Sequence, residues 1–94
     1  MIILRWLKKR EVIIYFLLYR KFGYNNFNLS EALDILKPFF SKKVSLSAIR
    51  YMQKIGLINN INFLEYRLSN FDDYVYLMSI DYLKRRTILH HKIQ

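Results

Sequence analysis

Ninety-four residues and 11.6 kDa are enough for one hydrophobic core and too few for two domains. A 53% apolar and 17% aromatic composition with two glycines and one proline excludes a disordered or low-complexity chain. The balance of 16 Lys and Arg against 7 Asp and Glu leaves +9, which attracts phosphate-rich partners, nucleic acid first, then an anionic membrane surface or an acidic protein.

No cysteine is present, so disulfides and thiolate zinc sites are excluded and packing or oligomerisation must stabilise the fold. The longest apolar run, Val12 to Tyr19, has eight residues, whereas a membrane-spanning helix needs about 20. Ile2, Ile3 and Leu4 precede Lys8, Lys9 and Arg10, the reverse of a secretory signal. An intracellular, cytoplasmic protein without a membrane span is expected.

The first predicted helix runs from Arg10 to Phe22. Arg20 and Lys21 suit the negative end of its dipole, and Gly23 can adopt the left-handed conformation that stops it. Val12, Ile13, Phe16 and Leu17 form one apolar stripe, while Ile14, Tyr15, Leu18 and Tyr19 cover the other side; such a helix is buried on more than one face. A loop over Tyr24–Phe27 leads to Asn28-Leu29-Ser30-Glu31, a cap residue with Glu three places on, which predicts a second helix to Lys37, ended by Pro38.

Ile49, Met52 and Ile55 recur every three residues and predict a third helix from Ser45 to Gly56, capped by Ser45 or Ser41. Ser47, Arg50, Tyr51 and Lys54 fall away from that stripe. Beyond Leu57 the period becomes two: Leu64, Tyr66 and Leu68 predict one strand, Val75 and Leu77 a second, with Ser69–Asp73 as the hairpin turn. A final helix capped by Ser79 or Asp81 follows. Most aromatic residues, among them Tyr15, Phe16, Phe39, Phe40, Tyr66 and Tyr76, are assigned to packing.

Helix, helix, helix, two-stranded hairpin, helix, with Ile55-Gly56-Leu57-Ile58 at the exit of the third helix, resembles the winged helix-turn-helix superfamily, and in size and style the small winged-helix proteins of archaea and their viruses or plasmids. The resemblance covers about residues 10–78. It implies a single mainly α domain with a small β-hairpin (α+β) over residues 1–94, core 10–78, with segments 1–9 and 79–94 left to dimerise. The connection between the second and third helices, Pro38 to Val44, is longer than the family's usual turn.

In this family the third helix enters the major groove. By position the resemblance puts Lys42, Lys43, Ser45, Leu46, Ser47, Arg50, Tyr51 and Lys54 near DNA: Arg50 to read a base edge, Lys42, Lys43 and Lys54 to hold phosphates, the hydroxyls to reach phosphate oxygens. The charge agrees. Residues 1–54 carry +8, residues 55–80 carry −2 and residues 81–94 carry +3. A wing tip holding Asp72 and Asp73 is expected to avoid the DNA backbone.

The expected function is therefore sequence-specific double-stranded DNA binding by a homodimeric transcriptional regulator that requires no cofactor. The alternative is a winged helix serving as a protein adaptor in a replication or transcription complex. Adjacent His90 and His91 lack the four-residue spacing of helical metal ligands, and the sequence offers no nucleophile, acid and base set of an enzyme. Ile2, Ile3, Trp6, Leu7, Ile80, Leu83, Ile88 and Leu89 are the candidate dimer contacts.

Overall fold

The computed structural model describes the backbone of residues 5–93 and the side chains of residues 5–86. The protein is mainly helical with a small antiparallel sheet: α1 (Lys9–Phe22), β1 (Phe27–Asn28), α2 (Leu29–Leu36), α3 (Lys42–Lys54), β2 (Ile58–Asn60), β3 (Glu65–Leu68) and α4 (Phe71–Ile93). Among the described residues no helix is long and apolar enough to cross a membrane.

The chain's own stop and start signals set the first three helices. Gly23 has a φ of 58° and ends α1, its N–H donating to the Tyr19 carbonyl. The Asn28 carboxamide accepts from the Glu31 N–H at 2.8 Å while the Glu31 carboxylate accepts from the Asn28 N–H at 3.0 Å, so α2 opens on the reciprocal cap its sequence predicts. Ser41 Oγ accepts from the Val44 N–H at 3.2 Å and caps α3. Lys42, Lys43 and Val44 are therefore helical, and the connection shortens from the expected Pro38–Val44 to Lys37–Ser41. Gly56, with a φ of 86°, ends the third helix, and the Leu57 N–H reaches back to the Met52 carbonyl at 2.8 Å.

The core forms where buried residues recur at helical spacing: Glu11, Ile14, Tyr15 and Leu18 from α1, Ala32 and Leu36 from α2, Ser45, Ala48, Ile49 and Met52 from α3. On α1 the inward face is the Ile14, Tyr15 and Leu18 side. Ile13 and Phe16 of the other stripe remain exposed, as do Phe39 and Tyr76 among the aromatics assigned to packing.

The sheet departs from the sequence reading. Its order is β1-β3-β2, with Ile58 opposite Leu68 and Asn60 opposite Tyr66 on one side of β3, and Phe27 opposite Tyr66 on the other. The hairpin thus lies one strand earlier than expected, with Ile61, Asn62, Phe63 and Leu64 at its tip. The stretch expected as the second strand, around Val75 and Leu77, is the start of α4.

The longer period wins there: Phe71, Tyr74, Val75 and Met78 pack against the core at helical spacing, whereas the alternation spans only four residues. The Asn70 carboxamide accepts from the Asp72 N–H at 2.8 Å, and Asp72 and Asp73 sit in the first turn of α4, where negative charge suits the helix dipole. They are not at a wing tip, and neither Ser79 nor Asp81 starts a helix.

Candidate nucleic-acid interface

The two faces of α3 are chemically opposite. Ser45, Ala48, Ile49 and Met52 face the core, and Lys43, Ser47, Arg50 and Lys54, spaced four, three and four residues apart, share the exposed face. Anchoring the apolar stripe therefore holds the cationic one outward. Lys42, Lys43, Leu46, Ser47 and Arg50 line a shallow concavity of about 690 Å³.

No acid occurs in α3. Among the described residues ion pairs join Arg5 to Glu11 and Arg85 to Asp81, and the four cations of α3 take part in neither. Lys42 and Lys43 also occupy the first turn, where the positive end of the helix dipole adds to their charge. Four cations, a hydroxyl and a helix N-terminus together make a surface suited to a polyanion.

Two residues leave the expected set. Ser45 is 1% exposed: it lies four residues before Ile49 and so on the core stripe, and the cleft it lines is the one between α2 and α3, with Leu33 and Asp34. Tyr51 is partly buried and committed elsewhere. Its hydroxyl accepts from the Arg5 N–H at 3.1 Å and donates to the Arg5 carbonyl at 3.0 Å, while the Arg5 guanidinium lies 3.8 Å from its ring centre. Lys42, Lys43, Ser47, Arg50 and Lys54 remain as the exposed set.

The Arg5 contact belongs to an N-terminal strap with no local sequence signal. Arg5 makes two 2.8 Å bonds to the Glu11 carboxylate, which is 4% exposed and also accepts from the Lys8 N–H at 2.7 Å. The hydrogen bonds from Arg5, ahead of all other causes, hold the Glu11 carboxyl below the usual range despite its burial. The Leu7 N–H donates to the Tyr74 hydroxyl at 2.8 Å, and Trp6 packs edge-on against the Tyr74 ring at 6.1 Å.

Arg5, Trp6 and Leu7, part of the segment expected to dimerise, thus rest on their own chain. Ile2 and Ile3 and the side chains of Ile88, Leu89, His90 and His91 lie outside the described residues. Comparison with protein-family models, with curated proteins and with solved structures finds no match.

Proposed function

We propose that this protein is a winged-helix, sequence-specific double-stranded DNA-binding protein, a transcriptional regulator that lays α3 in the major groove. The single observation that carries the reading is the uncompensated stripe Lys43, Ser47, Arg50 and Lys54, opposed on the same helix by a core face. Arg50 has two parallel donors for a guanine edge; Lys42, Lys43 and Lys54 supply point charges for phosphates; Ser47 donates to a phosphate oxygen.

Binding to a duplex selected from a random pool, measured at several salt concentrations, tests this. Each lysine changed to Ala is expected to flatten the slope of log affinity against log salt by about 0.9, and Arg50→Ala to cost about 1–3 kcal/mol and relax sequence preference. Full affinity and preference in Arg50→Ala would exclude its role.

The regulator is read as a homodimer joined through α4. That helix continues 15 residues past the core residue Met78, about 22 Å, with Tyr76, Leu77 and Tyr82 exposed. Asp72, Asp73 and Asp81 occupy its first half, and Lys84, Arg85, Arg86 and Lys92 its second. Two copies related by a twofold axis and laid antiparallel match acidic half to basic half.

A protein adaptor is the second reading, favoured by the same exposed apolar residues. Weak duplex binding without sequence preference, alongside an intact fold, would select it.

A further inference from the structure

The cleft between α2 and α3 has a volume of about 690 Å³, within the roughly 300–1,000 Å³ of small-molecule sites. Ser45, only 1% exposed, is part of its lining, so the cleft reaches down to the core-facing side of α3. Local bonds set its shape. Ser41 caps α3, and the Phe40 N–H donates to the Leu36 carbonyl at 2.9 Å, folding the connection back onto α2.

Three charges line the cleft without meeting. Asp34, Lys37 and Lys42 share it, yet among the described residues the ion pairs are Arg5 with Glu11 and Arg85 with Asp81. Asp34 and Lys37, three residues apart on the helix, are spaced to pair and do not. A carboxylate and two ammonium groups are thus left for whatever enters.

Along α2 the lining has an order. Leu29 and Leu33, one turn apart, are apolar; Asp34 follows; Lys37 stands at the helix end, with Lys42 at the start of α3. From Leu29 to Lys37 is about 12 Å along the axis. Apolar wall, carboxylate and cations follow one another as base, sugar and phosphate do in a nucleotide. An ionised carboxylate only accepts, so it calls for donors such as the paired hydroxyls of ribose. Two ammonium groups balance the charge of about −2 on a phosphate monoester. A bare anion would be repelled by Asp34, and a single amino acid would be short for the span.

Lys42 also lines the concavity formed with Lys43, Leu46, Ser47 and Arg50 on the cationic side of α3. A phosphate held in the cleft takes Lys42 from the duplex, so nucleotide and duplex weaken each other's binding by the same factor.

We infer that the α2–α3 cleft binds a nucleoside monophosphate, with the base on Leu29 and Leu33, the ribose hydroxyls on Asp34 and the phosphate on Lys37 and Lys42, and that this ligand loosens the grip of α3 on DNA. The site stands on the cleft alone; its effect on the duplex rests on the DNA-binding reading.

Calorimetric titration of the full chain tests the site. Adenosine 5′-monophosphate is expected to bind one per chain, with ribose 5-phosphate and inorganic phosphate each at least about tenfold weaker. Asp34→Ala and Lys37→Ala should each weaken the nucleotide about tenfold. The sign at Asp34 is decisive: on a merely basic surface, removing the carboxylate relieves repulsion and tightens binding, which would overturn the site. Both side chains are exposed, so thermal midpoints should match wild type. A ligand-side measurement needs no variant: 2′,3′-dideoxyadenosine 5′-monophosphate, lacking both hydroxyls, should bind wild type about tenfold more weakly, a loss that Asp34→Ala does not deepen. Failure of all four ribonucleoside 5′-monophosphates to bind overturns the proposal.

The duplex supplies the second readout. Saturating adenosine 5′-monophosphate should lower duplex affinity about tenfold and flatten the salt slope by about 0.9, one phosphate contact. Lys37→Ala, with duplex affinity unchanged in the absence of nucleotide, should lose most of that response. Bound nucleotide that leaves duplex affinity unmoved overturns the competition. A wild-type chain that binds the nucleotide and no duplex overturns the DNA-binding reading and leaves the cleft site standing.

Discussion

The hydroxyls of Tyr51 and Tyr74 converge on one atom, the carbonyl oxygen of Arg5, each donating at 3.0 Å. Both lone pairs of that carbonyl are thereby filled. The same hydroxyls accept N–H groups in return, from Arg5 to Tyr51 and from Leu7 to Tyr74. A strap residue, α3 and α4 are thus joined at a point far apart in sequence.

Tyr51→Phe removes one donor to that carbonyl and the acceptor for the Arg5 N–H, and should cost about 1–2 kcal/mol of stability. Urea unfolding checks the cost. Duplex affinity at fixed salt should stay within about twofold of wild type, because Tyr51 faces the strap and not the cationic stripe. A large loss of affinity with normal stability would return Tyr51 to the DNA contacts.

Glu11 governs the acid limb of stability. Its carboxyl is held low in the folded state, so its contribution is fully present above the unfolded value of about 4.3 and is lost as pH falls through the lowered folded value. The Arg5 side chain is 39% exposed, and solvent screening reduces the worth of the pair to about 1 kcal/mol. Urea midpoints measured from pH 6 to pH 2, a span of about 4 units around that value, should fall less steeply in Glu11→Gln than in wild type.

Tyr15 contributes to the alkaline limb. Burial first, then the neighbouring Tyr24 and Tyr19, push its hydroxyl up to about 12, and that hydroxyl donates to the Ser69 carbonyl. With the folded value raised, stability is complete below the unfolded value of about 10 and drains away between there and about 12, as the unfolded chain ionises first. Tyr15→Phe should be about 1 kcal/mol less stable at neutral pH and show a shallower decline across that window. Thermal midpoints against pH measure both effects.

Shortening the chain after Ile80 removes the projecting part of α4 and leaves every core residue, the last being Met78. The full chain should sediment as a dimer at micromolar concentration and the shortened one as a folded monomer. A full chain that sediments as a monomer would remove the pairing.

The first three helices were legible because their ends are written locally: Asn28 with Glu31, Gly23, Ser41 and Gly56 each act within four residues. The cationic face of α3 followed from the apolar spacing of Ile49 and Met52. The same phase places Ser45 inward, four residues before Ile49, but a hydroxyl in a basic stretch reads as a ligand until its burial is seen.

The hairpin was misplaced because a four-residue alternation around Val75 resembles a strand until Phe71, Tyr74 and Met78 are found on one core-facing helical stripe. Two-residue β1 has no pattern of its own; it exists only through Phe27 and Asn28 pairing with Tyr66 and Glu65. The strap joins residues 46 and 69 positions apart, beyond the reach of any periodicity.

The 22 Å by which α4 overshoots its own core also sets a ruler. In an antiparallel pair the two bodies sit at opposite ends of the paired helices, held apart by that overshoot. Adjacent half-sites on straight B-form DNA repeat at about 34–36 Å, one turn. The overshoot therefore fixes the interval at which such a pair would meet its two half-sites, and affinity for duplexes whose half-sites are set at increasing separations reads it out.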